Sequence, residues 1–266
     1  MSRLNKSIVI IVSFIAFILF FLNYIFFYKT DYRVLHAGGL YKGETYTNSI
    51  EAFKQNGKEF KYFEIDFQLT KDKKLICAHD LKKKKLTYEE FLNENKNKKI
   101  KSCNYRLIIK WLKKNPNNII ITDIKTNNLE GLMFIKNNFN NYQSKFIPQI
   151  YNPDNFETVK NMGYKNIIWT LYKYNTDKEF FNNIIEIIKN KKFFAITMPS
   201  ETAKKGLSKK IKQETKTKVL VHTVNFRRDA VKLIFLYGVT DIYTDTVLND
   251  INNIFSWFLK RILLND

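Results

Sequence analysis

The chain starts with one long apolar run and then changes rhythm. From Ile8 to Phe27 every position is apolar except Ser13, Asn23 and Tyr24, and none is charged. Beyond residue 30, short β-rich runs alternate with stretches of helical periodicity. The runs Arg33–Ala37, Tyr62–Gln68, Asn118–Ile124, Lys145–Tyr151, Asn166–Tyr172, Phe193–Met198, Lys218–Val224 and Thr240–Thr244 predict strands. Helical patterns fall between them at Ser49–Gln55, Leu107–Lys113, Leu129–Asn137, Asp177–Asn190 and Asp229–Tyr237. Strands that alternate with helices pair in parallel through crossovers. Eight such units predict an α/β fold, a (β/α)8 TIM barrel over residues 31–266. The competing arrangement is an open doubly wound sheet, but no glycine-rich phosphate loop opens a helix after the first strand. One more β-like run, Leu75–His79, breaks the alternation. It reads as an excursion after the second strand, at the barrel's C-terminal mouth, where active sites of this fold lie.

Twenty helical residues span roughly 30 Å, the thickness of a hydrocarbon core. Residues 1–30 therefore predict a membrane anchor, with one transmembrane helix over 8–27. A cleaved signal peptide is the rival; it would have a shorter apolar stretch and small residues at the cut. Here the run ends Phe26-Phe27-Tyr28-Lys29-Thr30-Asp31, so an uncleaved anchor is expected. Arg3 and Lys6 precede the span, whereas Lys29 and Arg33 after it are offset by Asp31. That bias places the N-terminus in the cytoplasm and the barrel on the periplasmic or extracellular side.

Composition narrows the partners. A 45% apolar content excludes a disordered chain. The net charge of +20 suits a phosphate-bearing partner, either nucleic acid or anionic lipid. The lysines are scattered among abundant Asn, Ile and Phe, as in the product of an AT-rich genome, and no nucleic-acid-binding signature accompanies them. Nucleic acid is therefore not the expected partner. Cys77 and Cys103 leave two readings open, a disulfide or two small apolar residues. Without a Cys-x-x-Cys pair, a structural zinc site is not expected.

The chemistry gathers between His36 and Asp80. Glu64 and Asp66 lie two apart on a predicted strand, so both carboxylates project to the same side. Such a pair is a ready chelate for a hard divalent cation. The chain has three histidines. His36 ends the first predicted strand and His79 ends the excursion, flanking the acidic pair. On the third strand Asp123 and Lys125 share a side by the same spacing, placing a third carboxylate beside an ammonium. A cation with an adjacent lysine suits a bound phosphate group.

These pieces resemble the glycerophosphodiester phosphodiesterases, within the wider group that includes phosphatidylinositol-specific phospholipase C. The resemblance is carried by His36-Ala37-Gly38, Asn48-Ser49-Ile50-Glu51-Ala52-Phe53, Glu64-Ile65-Asp66-Phe67 and Thr70-Lys71-Asp72. It continues through Ala78-His79-Asp80, Asp123-Ile124-Lys125, Thr223-Val224-Asn225 and Gly238-Val239, and ends at Thr244-Asp245. It implies His36 and His79 as an acid–base pair. It also implies Glu64, Asp66 and Asp123 as ligands of one Ca²⁺ or Mg²⁺, with Lys125 on a phosphate oxygen; Asp123 stands where the family usually has a Glu. Three departures qualify it. The family's His-Arg-Gly reads His36-Ala37-Gly38, so a phosphate-contacting Arg is missing. Its Glu-Asn-Thr reads Thr47-Asn48-Ser49, and its Trp-Thr-Val reads His222-Thr223-Val224. His222 then replaces a pocket-wall aromatic, and Gln149, Trp169 and Tyr172 are further candidates for the same wall, Trp169 being as compatible with the core.

The expected activity is metal-dependent hydrolysis of a phosphodiester, in a glycerophosphodiester, lysophospholipid or related envelope diester. Either water or a neighbouring substrate hydroxyl can serve as nucleophile. The alternative is a catalytically weak barrel that binds a phosphate-containing lipid or glycan.

Overall fold

The structure is a computed structural model that describes residues 10–19, 33–79 and 86–246. The chain divides into two compact units, Met1–Asp31 and Tyr32–Asp266. In the first, residues 10–19 are helical. The rest of the expected span, 8–9 and 20–27, lies outside the described residues, as do Asp80 and Lys82–Lys85. Among the described residues no helix is long and apolar enough to cross a membrane. Ten helical residues rise only about 15 Å, half a hydrocarbon core. The expectation of a single-pass membrane protein with its barrel on the periplasmic or extracellular side is corrected on this finding.

The second unit is built on a closed barrel. Its strands are β1 (Val34–Leu35), β2 (Tyr62–Leu69), β4 (Ile119–Ile124), β5 (Phe146–Ile150), β6 (Ile168–Thr170), β7 (Ala195–Pro199), β8 (Lys218–His222) and β9 (Asp241–Thr244). They pair in parallel in the order β1-β9-β8-β7-β6-β5-β4-β2, and a β1–β2 pairing closes the ring. Closure rules out the open sheet. The short β3 (Leu75–Cys77) lies outside the ring and pairs antiparallel with the end of β2, Phe67 opposite Cys77. This is the excursion expected from the sequence.

One residue from each barrel strand forms an interior layer: Val34, Tyr62, Ile121, Ile147, Ile168, Ala195, Leu220 and Tyr243. This layer fixes which way every strand faces, because side chains alternate along a strand. On β2, Glu64 and Asp66 share the inward parity of Tyr62. Phe63 takes the outward parity and packs under the helices, its ring centroid 4.9 Å from that of Trp111 and 5.8 Å from that of Phe53. Each such fully buried ring contributes about 1.5–3 kcal/mol relative to exposure.

The helices start where their caps say. Ser49 accepts from the Ala52 N–H to open Ile50–Asn56, and Asn104 accepts from the Leu107 N–H to open Tyr105–Lys114. Helices over Tyr88–Lys96 and Leu207–Thr215 were not expected from the pattern; only Phe91 and Asn95 in the first, and Leu207, Ser208 and Ile211 in the second, are buried. Cys77 and Cys103 are joined as a disulfide, with Cα atoms 5.0 Å apart, which decides between their two readings.

Candidate active site

The site lies two to four residues beyond the interior layer, at the C-terminal ends of the strands. Counting from the layer, inward parity continues to His36 on the β1 side, Glu64 and Asp66 on β2, and Asp123 and Lys125 after β4. It continues likewise to Gln149 and Tyr151, Tyr172, His222 and Asp245 around the rest of the ring. His36, Tyr46, Glu64, His79, Asp123, Lys125, Gln149, Tyr172, His222 and Tyr243 line one cavity of ≈ 230 Å³.

The loop after β1 is wound tightly. Ala37, Tyr46 and Asn48 all have left-handed backbones, with φ of 47°, 56° and 45°. Non-glycine residues rarely adopt this conformation, and it clusters at functional sites. Gly38, at φ +83°, approaches Phe53 so closely that a Cβ would lie 2.5 Å from its ring. The strained loop places two groups on the acidic pair. The Ala37 N–H donates to Glu64 Oε2 at 2.8 Å. The Asn48 side chain donates to Asp66 Oδ2 at 2.9 Å, and its own oxygen accepts from the Asp66 N–H at 3.0 Å.

Glu64, Asp66 and Asp123 are all buried, and each offers a carboxylate oxygen within 4.8 Å of the others. Burial, then repulsion from Asp66 and Asp123, pushes the Glu64 carboxyl well above the usual range; the Ala37 N–H and Lys125 only partly oppose this. Asp123 is also raised by burial, against the pull of Lys125. Lys125 Nζ lies 2.8 Å from Asp66 Oδ1 and 3.3 Å from Asp123 Oδ2. Burial works against its charge, but Asp123 and Asp66 more than offset this and hold its pKa up. Three buried carboxylates against one ammonium leave negative charge that a hard cation would relieve, and oxygen donors are the set such a cation takes. The residues fit a divalent ion.

His36 Nδ1 lies 2.8 Å from Asp245 Oδ1. An ionised carboxylate only accepts, so Nδ1 is the donor to Asp245, and Nε2 lies 4.0 Å from Glu64 Oε2. Asp245 is itself held: Asn225 donates to its Oδ2 at 2.7 Å and accepts from its backbone N–H at 2.8 Å. His79 follows β3 and its carbonyl accepts from Gln68 at 2.9 Å. The Tyr46 ring stands between the two imidazoles, edge-on to each, with centroids 4.6 Å from His36 and 4.7 Å from His79.

Across the cavity the wall is neutral. The Tyr151 hydroxyl donates to Asp123 Oδ1. Tyr172 lies against His222, ring centroids 4.1 Å apart, and the Tyr243 hydroxyl donates to Gln149 at 3.3 Å. Burial, with lesser repulsion from His36 and Lys125, lowers His222 to about 3, so its ring is uncharged.

The sequence-derived residues His36, His79, Glu64, Asp123, Lys125, Gln149 and His222 thus share one cavity, with Asp66 in the adjoining acidic group. Trp169 does not join them. It is fully buried on the outward parity of β6, its centroid 5.1 Å from Tyr174 and 5.5 Å from Phe193. Its placement in the substrate pocket is corrected to the core. Asp245, Asn225, Tyr46, Tyr151 and Tyr243 were not singled out as site residues. For Tyr151, Tyr243 and Asp245 the missing signal was parity with the interior layer.

No family model matches the sequence, and no curated protein matches it. Solved structures do. A glycerophosphodiester phosphodiesterase from Thermotoga maritima is 18% identical, with a TM-score of 0.61, over 85% of this chain and 97% of that one. Another from Parabacteroides distasonis is 17% identical, TM-score 0.61, over 88% and 99%. An Oleispira antarctica phosphodiesterase, solved with its product sn-glycerol-3-phosphate, is 14% identical, TM-score 0.62, over 84% and 95%. At these identities the likeness is one of fold: this chain is built on the barrel of the glycerophosphodiester phosphodiesterases.

Proposed function

We propose that the protein is a phosphoric diester hydrolase that cleaves a glycerophosphodiester or a closely related diester. The observation that carries this reading is one cavity holding three histidines, a buried carboxylate group and a lysine, on a fold shared with such enzymes. Its size supports a headgroup as ligand. At ≈ 230 Å³ it falls below the roughly 300–1,000 Å³ of pockets that enclose drug-sized molecules, so a lipid chain would lie outside it.

In this reading Glu64, Asp66 and Asp123 hold one divalent cation, Ca²⁺ or Mg²⁺. Such an ion supplies positive charge for the phosphate oxygens as negative charge builds up in the transition state. Lys125 binds a non-bridging oxygen beside it. His36, with its Nδ1 proton committed to Asp245, takes a proton from the nucleophile at Nε2. His79, on the far side of Tyr46, protonates the leaving alkoxide. Gln149, Tyr172 and His222 form the neutral wall against which an alcohol group rests. Ala37 in place of a guanidinium favours the second reading, a barrel that binds a phosphate ligand without turnover.

A panel of glycerophosphodiesters, lysophospholipids and lipid-linked glycan phosphates, assayed with added Mg²⁺ or Ca²⁺ and with EDTA, separates the two. Metal-dependent release of alcohol from any member is expected. Binding of a phosphate ligand with no turnover on the whole panel would favour the second reading.

A further inference from the structure

Two carboxylates, Glu64 and Asp123, and one ammonium, Lys125, line the cavity. Lys125 is engaged by Asp66 and Asp123 at 2.8 and 3.3 Å. Ala37 offers only its backbone N–H, which is already given to Glu64. Tyr46 stands apart from this bonding. It is 45% exposed, its ring lies between His36 and His79, and among the described residues its hydroxyl makes no hydrogen bond. The loop holds it there in a left-handed backbone at φ 56°, and its carbonyl accepts from Asn48 at 3.4 Å, the same side chain that braces Asp66.

Resting on the phosphodiesterase reading, we propose that Tyr46 is a second donor to the scissile phosphate beside Lys125, its hydroxyl standing in for the absent guanidinium and binding another non-bridging oxygen between His36 and His79. The position makes chemical sense. A proton acceptor and a proton donor must lie on opposite sides of the phosphorus, and Tyr46 touches both imidazoles. The hydroxyl stays protonated, because burial and then Asp245, Asp66 and Glu64 raise its pKa against Lys125. A neutral phenol also adds no charge that would compete with a cation on the carboxylates. A hydrogen bond to a charged oxygen from such a donor changes binding by roughly 10- to 100-fold.

The test compares the wild type with Tyr46→Phe and Tyr46→Ala. Tyr46→Phe removes only the hydroxyl and keeps the ring between the histidines. Calorimetry with sn-glycerol 3-phosphate, at saturating Mg²⁺, reads the phosphate contact without needing turnover. Tyr46→Phe is expected to weaken that binding, and kcat/KM on a glycerophosphodiester, by about the same 10- to 100-fold factor. Mg²⁺ affinity measured without phosphate stays at the wild-type value, which also reports an intact fold. Tyr46→Ala loses the ring as well and shifts the pH profile, which Tyr46→Phe leaves in place. Wild-type affinity for glycerol 3-phosphate in Tyr46→Phe would overturn the proposal, and so would a wild-type protein that fails to bind that probe. If the hydroxyl matters for binding while no diester on the panel is cleaved, the donor role stands and the hydrolase reading falls.

Discussion

The side of the mouth formed by β9, β1, β2 and β4 carries the cavity's charged groups, although Tyr243 of β9 bonds to Gln149 of the neutral wall. Asp245, His36, Glu64, Asp66, Asp123 and Lys125 all rise from that half, joined by His79 from the excursion. On the side formed by β5 to β8 the lining is Gln149, Tyr172 and His222, whose ring is held neutral, and Tyr151 donates to Asp123 from the same side. Both halves use the same geometry, inward residues two and four positions past one interior layer. They differ in charge. In the proposed phosphodiesterase reading, charge is needed where the nucleophile and the leaving group change protonation, and the neutral half would meet the alcohol group that stays on the phosphate. Substitutions in the first half should therefore act on rate and metal, and those in the second on the support of the first.

The largest effects should come from the charged half. His36→Ala and His79→Ala are each expected to lower kcat by about 10²–10⁴-fold without unfolding the barrel. If the two act together as the proposed acid–base pair, the double variant should lose less than the product of the two. Near-wild-type turnover in His79→Ala, at saturating metal, would remove the charged half's claim to the chemistry.

A smaller effect should cross between halves. Tyr151 belongs to the neutral side, yet its hydroxyl donates to Asp123. A partner that orients a ligand typically contributes 10- to 100-fold in metal affinity. Tyr151→Phe should weaken Mg²⁺ or Ca²⁺ binding by about that factor, read by direct titration. Unchanged affinity would mean that Asp123 is oriented without help from the neutral half.

The two halves also differed in how plainly the sequence displayed them. Glu64 and Asp66, and Asp123 and Lys125, were legible because charged residues on an otherwise apolar strand stand out, and period two tells their direction. The barrel was legible for a similar reason: strand and helix rhythms alternate, and β3 broke the alternation visibly. The neutral half offered no such contrast. Trp169 drew attention by its size, but Ile168 belongs to the interior layer, so its neighbour must face outward. The same count points to Tyr172 and Tyr151. Tyr46 and Asn225 lie in loops, where no period applies and only folded contacts reveal them. The N-terminal run shows the opposite failure, since composition alone suggested a span that the described helix is too short to make.

The smallest expected effect lies wholly in the neutral half and concerns pH. His222 sits beside Tyr172 and Tyr243, with its Nδ1 3.3 Å from the Met198 carbonyl. Burial lowers its pKa to about 3 in the folded chain, against an ordinary value of 6.5. An unfolded chain therefore takes up a proton first as the pH falls, and this favours unfolding. The stabilisation from the neutral ring is fully present above pH 6.5 and is lost progressively as the pH drops toward 3. Between pH 7 and pH 5.5 that loss amounts to about 1 kcal/mol. His222→Gln keeps a polar, neutral side chain of similar reach and has no proton to gain. Urea midpoints at the two pH values should fall further in the wild type than in the variant, by an amount equivalent to that difference. Equal pH dependence would mean that His222 accepts a proton without unfolding, and the neutral half would then carry charge at the pH where the charged half works.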